Sequence, residues 1–454
     1  MSTLALTNAR LVYADGALIE GGLIARDGSI VAVFAGDPPS APAGEVIDAG
    51  GRYVLPGAID PHVQLYPLDD HAHYANETGS AAIGGVTTII KMHRDLSGYP
   101  TDAFRNEIAG AERRAHIDFC FHLAVMTDDQ IASIPSFAAE FELTSFKLFT
   151  AYKGEEGYQI GIQGVDDGQL LAAFRAIGRV GGVALVHCES QDIVNAAHRD
   201  VRASGRDGLR AFADARPPIA EVEAIARAVL LASEAGCRLY VVHVTSRQGL
   251  DALRASRRDG RDVYAETESH YLTDTFDTAP GNLAKVNPPI RSADDREALM
   301  AGLAAGEIDA VGSDHVAVTR AGKAGSVWDA RLGFPGVATV LPALLSYGVN
   351  SGRLTLADVA GVTATRPASI FGLERKGQLV PGRDADFVVV DLEAERTVDA
   401  ALLGSASDFS IYEGRSLKGW PTVTVSRGKV IARDGELVGS EGQGRYVRRR
   451  AGVA

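Results

Sequence analysis

The stretch Ser145-Phe-Lys-Leu-Phe-Thr-Ala-Tyr-Lys-Gly154 puts a lysine in the middle of an apolar run. Lys147, between Phe146, Leu148 and Phe149, falls where a buried parallel strand is expected. A buried ammonium is costly enough to shift towards the neutral amine. Such an amine reacts with CO2 to give a carbamate, a carboxylate on a long arm that is able to bridge two metal ions. The plain alternative is a lysine whose amine snorkels out at the strand end. Other residues of ligand type recur at the ends of apolar runs: Asp60-Pro-His-Val-Gln64, His187, His243 and Asp314-His315. One such histidine would more often be a satisfied structural residue. Four run ends carrying imidazole or carboxylate, together with the lysine, point to a site for zinc or another first-row divalent metal. A metal lowers the pKa of bound water towards neutrality, and a neighbouring carboxylate such as Asp314 takes the proton, which is hydrolase chemistry. Tyr152 leaves the same stretch where its phenol either donates to a developing oxyanion or serves as a core tyrosine at the rim.

These residues need a scaffold that brings distant run ends to one place. From Tyr53 onward, apolar strands alternate with Ala/Arg/Glu-rich helical stretches. The expected strands are Val54–Asp60, Val86–Met92, Ile117–Val125, Ser145–Ala151, Val183–Cys188, Leu239–Thr245, Val263–Ser269 and Ile308–Asp314. Expected helices include Thr101–His116, Gly168–Val180, Pro218–Ala235 and Ala293–Ala305. This alternation predicts an α/β fold, a closed (β/α)8 TIM barrel over residues 55–372, with chemistry at the carboxyl ends of its strands. Short strands separated by Asp-Gly turns, Leu4–Val12, Gly22–Ala25 and Ser29–Val33, occupy residues 1–54. The same texture returns over 373–440 in Gly377–Val380, Asp386–Asp391, Thr422–Ser426 and Lys429–Ala432. The two ends are expected to fold together as one flanking β-sandwich domain. Residues 441–454 read as a basic C-terminal tail lying on a neighbouring subunit.

The chain has 454 residues, 46% of them hydrophobic, which is ample for a large core. A net charge of -13 argues against nucleic acid and anionic membranes as partners and leaves small molecules. The stretch Met1-Ser-Thr-Leu-Ala-Leu-Thr-Asn-Ala-Arg10 lacks the basic and apolar regions of a signal peptide, and no apolar run approaches spanning length, so a cytoplasmic protein is expected. Cys120, Cys188 and Cys237 lack metal-type spacing and read as small core residues.

Taken together, the motifs resemble those of the cyclic amidohydrolases, hydantoinase and dihydropyrimidinase first, with dihydroorotase and allantoinase close behind. The matching segments are Leu55-Pro-Gly-Ala-Ile-Asp-Pro-His62, Gly84-Gly-Val-Thr-Thr88, Ser145 to Lys153, Val186-His-Cys-Glu189 and Ala215-Arg-Pro-Pro218. Val242-His-Val-Thr245, Val263-Tyr-Ala-Glu-Thr267, Asn287-Pro-Pro-Ile-Arg291, Gly312-Ser-Asp-His315 and Lys418-Gly-Trp-Pro421 continue the series. The resemblance implies hydrolysis of a C–N bond in a cyclic amide, imide or ureide by a metal-bound hydroxide. It implies a carbamylated Lys147 bridging two metals, His62 and Asp314 on one, and His187 and His243 on the other. Asp314 is then the general base and Tyr152 the oxyanion donor. It also implies a homodimer or homotetramer, and it leaves open a binding-only partner subunit as the alternative to an enzyme.

Three departures bear on the site. Gln64 stands where the family has a second histidine, and amide oxygen is a poorer zinc ligand than imidazole. Three arrangements answer this: one metal on Lys147, His187 and His243; substitution by His71, His73 or His93, of which His93 is best placed; or Gln64 as a weak ligand itself. Arg94 replaces the usual asparagine region after the second strand and is a candidate clamp for a substrate carboxylate or imide oxygen. Glu268, in Glu266-Thr-Glu-Ser-His270, replaces a cysteine and is expected to change a wall only. Asn287 is the expected polar contact for the ring amide.

Overall fold

The computed structural model describes residues 2–39, 44–65, 69–154, 157 and 160–451. Seven strands, Ala58–Gln64, Val86–His93, Asp118–Ala124, Ser145–Phe149, Val183–His187, Arg238–Val241 and Val263–Glu268, pair parallel in chain order. The eighth is broken. Ala310–Gly312 pairs with Val263–Glu268, and, after Ser313 and Asp314, the short His315–Val316 pairs with Ala58–Gln64 and closes the ring. Helices Thr101–Arg114, Asp167–Arg179, Pro218–Glu234 and Ala293–Ala304 fall where the sequence pattern places them. The ends differ by a residue or two because capping, not amphipathic periodicity, terminates a helix.

The expected strand Val54–Asp60 divides at Gly57. Tyr53–Pro56 pairs antiparallel with Phe387–Thr397 and parallel with the end of Thr3–Val12, whereas Ala58 begins the barrel. A side chain at 57 has no room: a Cβ there would lie 2.3 Å from the Thr87 hydroxyl oxygen. The flanking unit therefore runs on through Pro56, and the expected division at 54/55 falls inside one of its strands. Both termini build it, as a continuous sheet running from Glu436–Leu437 through Lys429–Arg433, Ser416–Ser426, Phe387–Thr397, Tyr53–Pro56, Thr3–Val12 and Leu18–Arg26 to Ser29–Ala35. The sheet folds over on itself so that Leu6, Leu23 and Ile30 share a core with Phe387, Val389 and Val425. Gly377–Val380, expected as a strand, is a loop, with Gly377 at φ 78 against the Ala364 carbonyl.

Residues 444–450 pack against the chain's own barrel. Phe119 N–H donates to the Arg445 carbonyl at 3.0 Å and Val447 N–H to the Phe119 carbonyl at 2.8 Å, so the segment satisfies backbone groups that the barrel's own neighbours leave unpaired. Arg449 is buried at the barrel floor, where its guanidinium donates to the Ser145 hydroxyl at 2.7 Å and to the Phe121 carbonyl. Of the segment expected as a tail, 452–454 lie outside the described residues. Among the described residues no helix is long and apolar enough to cross a membrane.

Lys376 joins the two units. Its ammonium is buried and reaches Asp118 and Asp386 at 2.6 Å and Asp384 at 3.0 Å. Burial favours the neutral amine, but the three carboxylates hold it charged well above the usual lysine range. Lys376→Met would leave the buried carboxylates of Asp118 and Asp386 facing each other without the charge between them and should cost about 3–5 kcal/mol, read as a fall in the denaturation midpoint. Arg105→Ala, which removes exposed pairs with Asp102 and Glu140, should change the same midpoint by less than about 1 kcal/mol.

Candidate metal and catalytic site

The carboxyl ends of the barrel strands meet at one cavity, and His62, Gln64, Arg94, Lys147, Tyr152, His187, His243, Asn287 and Asp314 all line it. Three of them hold backbone conformations unusual for their type: φ is 63° at Tyr152, 40° at His243 and 42° at Asp314. Left-handed conformations cost non-glycine residues about 1–3 kcal/mol each, and here they turn side chains into the mouth just as each strand ends.

Lys147 projects inward from Ser145–Phe149 and is 1% exposed, its amine without a hydrogen-bond partner. Burial pulls the ammonium down to about 8, against the raising pull of Glu266, Asp314 and Glu268. On the next strands, His187 Nδ1 and His243 Nε2 face each other at 2.9 Å. His187 Nε2 stands 2.9 Å from Glu189, and a carboxylate can only accept, so Nε2 carries the proton and Nδ1 the lone pair. Two imidazole nitrogens and an uncapped amine thus surround one small volume, a donor set suited to a divalent cation.

On the opposite side, His62 Nε2 lies 3.4 Å from Asp314 Oδ1. Gln64 joins the same group, but not as a ligand would. Its Nε2 donates to Asp314 Oδ1 at 2.6 Å while its carbonyl oxygen accepts from Arg94 at 2.7 Å. His93 does not line the cavity. Its ring packs on Phe104 at 4.9 Å and on Tyr99 and Phe121, and burial with the Lys91 charge pushes its pKa down to about 3. Its side chain follows that of Lys91 outward on alternate positions of Val86–His93. His71 and His73 gather with Glu107, whose carboxylate is already bound by Lys91 on the helix-facing side of the barrel.

Beneath the mouth lies a layer that the sequence pattern does not announce as functional. His62 Nδ1 is 2.8 Å from Glu266 and 3.3 Å from Glu268, and the three residues bring ligand-type atoms within 4.8 Å of one another. Tyr240 donates to the second Glu266 oxygen at 2.7 Å. Glu268 is wholly buried, and burial, with Glu266 and Asp314 beside it, pushes its carboxyl well above the ordinary range. Burial also raises Asp60 to about 6. Glu189 is the contrary case: burial opposes its ionisation, yet Arg216 and His187 carry it down to about 2.

A model of the amidohydrolase family matches residues 53–431. The chain belongs to the amidohydrolase family. Over 98% of its length this amidohydrolase is 35% identical to the L-hydantoinase of Paenarthrobacter aurescens, covering 97% of that protein. It is 33% identical to the allantoinase of Escherichia coli (strain SE11), covering 91% of this chain and 90% of that one. Among solved structures, the L-hydantoinase (dihydropyrimidinase) from Arthrobacter aurescens superposes with a TM-score of 0.92 at 34% identity, over 99% of this chain and 100% of that one. These likenesses run the full length of barrel and flanking sheet, so the fold expected from strand and helix alternation is the fold of the family.

Three residues of this amidohydrolase's site escape a reading by ligand type and strand end. Glu189 follows His187 by two positions, while Glu266 and Glu268 alternate along one strand so that both face inward. Acidic residues two apart in an otherwise apolar strand were the available signal. Glu268 is accordingly more than a wall, because the strand's period of two puts it directly under His62. Tyr240→Phe keeps the shape but removes one donor from a buried carboxylate and should destabilise the protein by about 1.5–3 kcal/mol, measured by urea denaturation.

Proposed function

We propose that this chain opens a ring by hydrolysing a C–N bond in a cyclic amide, imide or ureide, using one divalent ion, zinc by the donor set, held by carbamylated Lys147, His187 and His243. The observation that carries the reading is the convergence of an unpartnered buried amine with two facing imidazole nitrogens at 2.9 Å. Relatives named as hydantoinases and allantoinases supply the substrate class. When bound, the ion supplies Lewis acidity and a water acidic enough to deprotonate near neutrality.

The residues divide the remaining work. Glu189 holds His187 in the tautomer that leaves Nδ1 open. Asp314, held by Gln64 and His62 at the mouth, takes the proton from the attacking water and returns it to the leaving nitrogen. Tyr152 donates to the carbonyl oxygen as charge develops there. Gln64 turns the N–H end of its amide to Asp314, which puts a positive dipole end where a second cation would need a lone pair. That orientation favours one ion over two. Arg94, on the same cavity wall, supports a second reading in which the ring carries a carboxylate.

Metal analysis of the purified protein should find one ion per subunit, and Gln64→His should raise the count towards two; two tightly bound ions in the parent would overturn the single-ion arrangement. Lys147→Ala should lose the ion and all ring opening across hydantoin, dihydrouracil, allantoin and cyclic imides. Asp314→Asn should lower kcat by about 10²–10⁴. A parent protein that binds metal but opens none of these rings would refute the hydrolase reading. Arg94→Ala should weaken an acidic ring more than a neutral one, compared by KM.

A further inference from the structure

A buried carboxylate outside the reacting groups fixes the orientation of the residue expected to touch the ring. Glu189 Oε2 accepts from His187 Nε2 at 2.9 Å, Arg216 Nη1 at 2.9 Å and Asn287 Nδ2 at 3.0 Å. An oxygen met by these donors has no proton to offer Asn287, so the side of the Asn287 amide that faces it must be the NH2. The same NH2 donates to the Tyr152 hydroxyl. The Asn287 carbonyl oxygen is thereby turned away from both. It lies buried with no hydrogen-bond partner, on a residue that lines the cavity. Tyr152, accepting from Asn287 through a lone pair, keeps its one phenolic proton as a donor.

The cavity wall therefore presents an acceptor next to a donor, on two side chains that are hydrogen-bonded to each other. The complementary ligand edge is a donor next to an acceptor. In an open-chain secondary amide the N–H and C=O point to opposite sides, because the trans form is favoured by about 2.5–4 kcal/mol. A small ring forces the amide cis and puts N–H and C=O on one edge. We infer that Glu189 is a positioning residue: it turns Asn287 so that Asn287 and Tyr152 together read the cis N–H/C=O edge of a ring amide. This rests on the ring-opening reading above and narrows it to substrates whose ring nitrogen beside the recognised carbonyl is unsubstituted. Arg216 serves the same end through Glu189, by supplying the charge that keeps it an acceptor only.

The test compares glutarimide with N-methylglutarimide on the zinc-loaded protein. The parent should favour the unsubstituted ring in kcat/KM by at least about 100-fold, since a site built to bond an N–H rejects an analogue lacking it. In Glu189→Met no oxygen faces Asn287, so its amide is free to turn. The preference should fall at least about tenfold, through KM more than kcat, whereas Glu189→Gln, whose carbonyl still accepts from His187, Arg216 and Asn287, should keep both the preference and the zinc. Asn287→Leu removes the acceptor without touching His187, and it decides the matter if Glu189→Met loses zinc. An unchanged preference in the deciding variant overturns the inference. If the parent opens neither ring, the hydrolase reading fails, and calorimetric binding of the two imides to the same protein still decides edge recognition: tighter binding of glutarimide supports it, equal affinity overturns it.

Discussion

Charge buried away from water at the barrel mouth has to pair, neutralise or take up a counter-ion, and each functional group here is placed by which of these it does. Glu189 pairs, with Arg216 and His187, and stays an anion. Glu268 is driven towards its neutral form by burial and by the charges of Glu266, Asp314 and Asp60 around it. Lys147 has no partner and stands ready to be changed chemically. Desolvation alone does not decide these outcomes, since all three side chains are almost wholly buried. The neighbours within a few ångströms decide them, and a closed barrel holds those neighbours rigidly in place.

Rigidity also sustains the strained turns at Tyr152, His243 and Asp314. Each marks where a strand stops and the chain swings outward, and each turns a side chain into the mouth at the cost of an unfavourable φ. The broken eighth strand shows the trade most directly. Pairing is given up at Ser313 and Asp314, then resumed for two residues with Ala58–Gln64, so Asp314 faces His62 from a gap in the ladder.

Much of this was legible in the chain. Lys147 announces itself because a lysine amid Phe146, Leu148 and Phe149 contradicts its surroundings, and His62, His187, His243 and Asp314 stand at strand ends that apolar runs define. The division at Gly57 was not legible, because the run from Val54 to Ile59 is uniformly apolar and only a close approach to Thr87 shows where it breaks. His93 looked well placed by its position after a strand, but alternation sends it to the aromatic packing outside. Gln64 could be read as a lost ligand from its type alone; which way its amide points depends on Arg94 and Asp314, 30 and 250 positions away. Glu268 was undervalued for the same reason, since its neighbours come from other strands.

The segment at the barrel floor carries a consequence for how the molecule is made. Arg449 bonds Ser145, two residues from Lys147, across 304 positions of chain, and the flanking sheet likewise pairs Tyr53–Pro56 with Phe387–Val390. During synthesis, domains generally fold from the amino terminus onward. Here the base of the lysine-bearing strand is closed by residue 449, so a product cut short of that position leaves the Ser145 hydroxyl and the Phe121 carbonyl without their guanidinium partner.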